Sequence, residues 1–169
     1  MGSIEVTFRC SDSDSNGRND FYTDDVAGLY FTQAPGGIHI RMIEISVAQA
    51  DGAPRRAYVP PATMTAHPKA GYWYFALRGC EDLDGVVTPY GARNDDRFGF
   101  TAVPDQYRTP RDLIFTTNEA GTLYKIDPRG NGCFQTRPKA GSQPAAGALA
   151  WPYNVWRLDP RQYGWSKLD

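Results

Sequence analysis

Residues 112–126 read D-L-I-F-T-T-N-E-A-G-T-L-Y-K-I, and the fold class turns on how this stretch divides. Two runs rich in aliphatic, aromatic and β-branched side chains, 112–117 and 122–126, flank Asn118-Glu119-Ala120-Gly121. Two such runs joined by four residues ending in Gly specify a β-hairpin. Gly121 suits the closing position because a residue without Cβ enters the φ > 0 region at no steric cost. Working outward, Gly71-Tyr72-Trp73-Tyr74-Phe75-Ala76-Leu77 is aromatic and β-prone, and residues 96–103 place Phe98 and Phe100 in alternation. Strands over 71–78, 96–103, 112–117 and 121–126 predict an antiparallel meander with one face on a helix and the other toward solvent.

The first half of the chain is less regular. Ile4, Val6 and Phe8 alternate as in a strand, while Ile4 and Phe8 also stand one helical turn apart. Residues 24–30 predict a short helix with Asp24 as N-cap and Val26, Leu29 and Tyr30 on its apolar face. After the Pro35-Gly36-Gly37 turn, Ile38, Ile40 and Met42 alternate, then Ile43, Val47 and Ala50 keep helical spacing. A short strand running into a helix is the expectation there. Residues 51–70 carry Gly52, Pro54, Pro60, Pro61 and Pro68 and predict a long irregular connection. Pro, Gly and Ala dominate from Asp127 to Leu149, and the final segment, with Trp151, Trp156 and Trp165, is expected to dock back on the domain. The fold class is α+β and loop-rich. Met1-Gly2-Ser3 reads as an added leader, and residues 4–169 as a single domain.

Charge and composition remove several classes of function. With 18 basic and 19 acidic side chains the net charge is −1, which gives no electrostatic case for nucleic acid or an anionic membrane. Twenty-two aromatic residues (8 Phe, 10 Tyr, 4 Trp) argue against disorder. No apolar run reaches the roughly 18 residues of a membrane span. Neither His39 nor His67 lies near a nucleophile motif, and Gly130-Asn131-Gly132 sits in a turn-prone stretch with no helix pattern after it to form a phosphate cradle. Cys10, Cys80 and Cys133 lack CxxC spacing. Either three unpaired thiols or one bridge, with Cys80–Cys133 the preferred pair, is compatible with the sequence.

The strongest chemical motif is acidic. In D-S-D-S-N-G-R-N-D-F-Y-T-D-D, residues 12–25, Asp12, Asp14 and Asn16 alternate ahead of Gly17, as in the first part of a Ca²⁺ loop. Asp20 supplies a further oxygen, and the Arg18 carbonyl with Asp24 or Asp25 would complete the shell. Thr23 replaces the bidentate Glu of an EF-hand, so a different type of Ca²⁺ loop is expected. The bland alternative is a solvated Asx-rich turn. A second, weaker cluster comprises Asp82 and Asp84 with Asp95 and Asp96, in the connection between the first two meander strands. Trp151, Trp156 and Trp165 are candidates for a binding surface, although rings of this size more often pack into a core.

Taken in order, Phe8-Arg9, residues 12–22, D-V-A-G-L-Y (25–30), I-E-I-S-V-A-Q-A-D (43–51), P-K-A-G-Y-W-Y (68–74), F-G-F-T-A-V-P-D-Q-Y (98–107) and I-F-T-T-N-E-A-G-T-L-Y (114–124) resemble a known family. The similarity is to the extracytoplasmic domains of prepilin-type, pseudopilin-like proteins of bacteria, particularly planctomycete variants. The resemblance implies an N-terminal helix, here truncated to residues 4–10, packed on a small antiparallel meander. It also implies a hydrophobic first half of that helix, absent here, through which other pilin-like subunits and the membrane would be contacted. The expected location is extracytoplasmic, at the cell envelope. The expected function is a non-enzymatic, Ca²⁺-stabilised structural subunit of a pilus or pseudopilus. An exported glycan- or peptide-binding module using the Trp-rich tail is the alternative. A hydrolase using Asp82/Asp84 or Asp95/Asp96 comes third.

Overall fold

The computed structural model describes residues 15–21, 25–31, 37, 38, 40–54, 65–90, 96–106, 112–127, 155–157, 161 and 164–168. The expected helical stub at 4–10 lies outside the described residues. Among the described residues, two short helices, α1 (Gly28–Phe31) and α2 (Ile45–Gln49), precede the strands. The meander follows as β1 (Tyr72–Ala76), β4 (Gly99–Pro104), β5 (Ile114–Asn118) and β6 (Leu123–Ile126), each antiparallel to the next. Two further strands, β2 (Gly79–Glu81) and β3 (Val87–Pro89), form a hairpin between β1 and β4.

The tail returns to both sheets. Strand β7 (Val155–Arg157) runs parallel to β2, and β8 (Ser166–Lys167) pairs with β6. The result is a five-stranded sheet, β1-β4-β5-β6-β8, beside a three-stranded one, β3-β2-β7. Trp165, half-buried, packs against the core. Docking of the tail is therefore as expected, and Trp165 is a packing residue, which speaks against its use as an open binding surface.

Alternation along the strands sorts side chains onto two faces. Tyr74, Ala76 and Phe100 face a core containing Phe21, Val26, Leu29, Ile43, Ala48 and Phe98. Phe75, Val103, Ile114 and Ile126 face a second core with Ala53, flanked by Trp73 and Trp165. The registers Trp73↔Val103 and Ile114↔Ile126 make this second face a cross-strand apolar surface. The expected solvent face is thus buried instead, with Ala53 and Trp165 packed against it. Thr101 and Thr116, opposite one another, join their hydroxyls at 3.1 Å and satisfy polar atoms that burial would otherwise leave unpaired.

Close backbone approach selects glycine at Gly99: a Cβ there would lie 2.3 Å from Leu77 Cδ1 and 2.5 Å from the Thr117 carbonyl oxygen. The hairpin turn is as read from the sequence. Gly121 N–H donates to the Asn118 carbonyl at 2.9 Å, Gly121 has φ 71°, and Asn118 Oδ1 accepts the Ala120 N–H.

The alternation of Ile38, Ile40 and Met42 does not produce a strand. Arg41 has φ 52°, which breaks an extended run, and Ile38 is 70% exposed. Met42 N–H instead donates to the Leu29 carbonyl, tying this segment to α1. The helical half of that expectation holds as α2. Beyond it, Ala50–Gly52 runs along the open edge of β1: Tyr74 N–H donates to Ala50 O and Gly52 N–H to Tyr74 O. That pairing covers an edge that would otherwise invite intermolecular strand addition.

Candidate functional site

The acidic loop and the segment after α2 meet at α1. Asn16 and Arg18 lie in an exposed turn, where Asn16 Oδ1 accepts the Arg18 N–H at 2.8 Å and Gly17 has φ 84°. This is the sharp turn expected at Gly17, formed as an Asx turn. Directly afterwards the chain dives inward, and Asp20 and Phe21 are buried. Asp25 is buried too, and its Oδ1 accepts the Gly28 N–H at 2.8 Å. Asp25 therefore holds the start of α1, the position expected for Asp24. Asp12, Asp14 and Asp24 lie outside the described residues.

Asp51, which sequence reasoning passed over, is the centre of this region. Its carboxylate is buried, with Oδ2 accepting the Val26 and Ala27 N–H groups at 2.8 and 2.7 Å. Oδ1 accepts the Ala53 N–H at 2.8 Å. One side chain thus joins the α1 turn, the loop after α2 and the edge of β1. Burial pushes its carboxyl up to about 6; the amides of Ala27, Ala53 and Val26 oppose that rise, and the charge of Asp25 adds to it. The available signal was composition: Asp51 sits among Ala48, Ala50 and Ala53, all buried, in a run too small and apolar for a solvated acid.

Among the described residues, no three His, Cys, Asp or Glu side chains are grouped to hold a metal ion. In the second acidic cluster, Asp82 closes the β2–β3 turn. Its Oδ1 accepts the N–H groups of Asp84 and Val86 at 3.0 and 2.8 Å. Asp84 and Asp96 are exposed, and Asp95 lies outside the described residues. Cys80 is a buried free thiol; Cys133, its partner in the preferred bridge, and Cys10 lie outside the described residues. Burial raises the Cys80 pKa against the lowering influence of Arg97, which keeps the thiol protonated and a poor nucleophile. Trp151 and the side chain of Trp156 are outside the described residues; the Trp156 backbone pairs with Cys80.

A shallow cleft of about 300 Å³ opens at the end of β1 and β4, lined by Tyr72, Pro104, Asp105, Gln106 and Asp112. Asp105 Oδ1 accepts the indole N–H of Trp73 at 2.8 Å, which fixes one wall. Burial, then the charge of Asp112, raises the pKa of Tyr72. Among the described residues no helix is long and apolar enough to cross a membrane. No family model, curated protein or solved structure matches the chain.

Proposed function

We propose that the chain is the globular part of a pilin-like structural subunit, working at the cell envelope by polymerisation and without turnover. The observation that carries this reading is the use of the buried acids. Asp25 and Asp51 accept backbone amides and lock α1 to the sheet, which is a rigidifying role. Helical segments laid against an antiparallel meander add to it. Pilin-like subunits polymerise by burying an apolar N-terminal helix, and contacts between globular parts alone are small. Interfaces below about 1,000 Å² seldom hold a stable complex. Light scattering should find the 169-residue chain monomeric, or at most weakly dimeric. The same domain carrying its genomic upstream sequence should need detergent or form filaments. A tight oligomer of the short chain, or hydrolysis lost on Asp82→Asn and Asp84→Asn substitution, overturns the proposal.

Calcium belongs to the proposal on narrower ground, the Asx turn at Asn16–Arg18 followed in the chain by the buried Asp20. The ion would draw on Asp12, Asp14, Asn16, Asp20 and the Arg18 carbonyl, with Asp24 the better candidate to complete the shell because Asp25 Oδ1 already holds the Gly28 amide. Calorimetric titration of chelator-treated protein is the test. An absence of binding heat together with an unchanged melting temperature removes calcium from the reading.

The alternative, an exported glycan- or peptide-binding module, is expected from the sequence to use the Trp-rich tail; a different surface, the cleft lined by Tyr72, Asp105 and Asp112, is what favours a glycan here. Saturable glycan binding weakened by Asp112→Ala would favour it over assembly.

A further inference from the structure

We draw no further inference here: the strongest candidate, the pair of buried carboxylates of Asp25 and Asp51 at the start of helix α1, belongs to the site already described, where both already accept backbone amides.

Discussion

Asp51 and Asp82 do the same chemical job in opposite surroundings. Each carboxylate gathers backbone N–H groups where the chain changes direction. Asp82 serves residues two and four positions ahead, in an exposed turn. Asp51 serves Val26 and Ala27, 25 and 24 positions behind it, in a buried one. Water can replace the Asp82 carboxylate at its amides, but it does not reach those held by Asp51. The hydrogen bonds are of similar length, so solvent access decides what each is worth.

The largest expected effect follows from that contrast. Asp51→Ala leaves three buried amides without their acceptor, and each such donor costs about 1–3 kcal/mol. The substitution also removes a charge that is unfavourable when buried, so the loss is clearest near pH 5, where Asp51 is largely neutral. Urea denaturation at that pH should show a loss of about 3 kcal/mol or more. A loss under about 1 kcal/mol would put Asp51 on the same footing as Asp82 and dissolve the comparison.

The pH response should separate the two residues nearly as strongly. Asp51 is raised from 3.8 to about 6, so between those values the folded state holds a proton that the unfolded state has lost. Its contribution is fully present below pH 3.8 and lost as pH rises through about 6. At about 1.4 kcal/mol per pH unit, the difference amounts to roughly 3 kcal/mol. Wild type should therefore lose ground against Asp51→Asn by roughly that amount from pH 4 to 7, then run level. Parallel stability curves for the two proteins over that range would mean that Asp51 is not buried as described.

What could be read from the sequence follows the same division between near and far. The 114–126 hairpin was legible because its signals, alternation and Asn118–Gly121, lie within the element they specify. The Gly17 turn and α2 were legible for the same reason. The β2–β3 hairpin was taken as open connection because its strands have three residues each, too short for a period to show. Tail docking was anticipated from its Trp content, but pairing with β2 and β6 depends on partners far along the chain. The Ile38–Met42 alternation misled because Arg41 in the left-handed region leaves no mark on a hydrophobic pattern. The acids of 12–25 were read as converging on a Ca²⁺ ion. Asp20 and Asp25 turn inward, where Phe21, Val26 and Leu29 carry them into the core.

Between the extremes of the comparison stands the Asn118–Gly121 turn, local like that of Asp82 but set between two strands of the main sheet. Gly121 has φ 71°, and a Cβ built there meets nothing within 4 Å. The penalty for Gly121→Ala is therefore backbone strain alone, about 1 kcal/mol. Thermal denaturation should show a small drop in Tm with backbone shifts confined to the turn. No change in stability would mean the turn relaxes to another geometry. A loss above about 2 kcal/mol would mean the turn holds more of the sheet together than its own strain.

The smallest effect is expected at Asp82. Asp82→Ala removes the acceptor for the Asp84 and Val86 amides, but the residue is exposed and water can take its place. Two backbone bonds remain, Asp82 N–H to Val86 O at 3.0 Å and Gly85 N–H to Asp82 O at 3.2 Å, and these preserve the β2–β3 register. The cost should stay near 0.5–1 kcal/mol, about the net value of an ordinary hydrogen bond. Asp82→Asn, which keeps an acceptor oxygen, should recover most of it. Urea denaturation of the two variants, with amide exchange at residues 79–89, measures both expectations. If Asp82→Ala costs as much as Asp51→Ala, or melts the β2–β3 pairing, solvent access is not what separates the two aspartates, and the hairpin must anchor the strand β7 returning beside it.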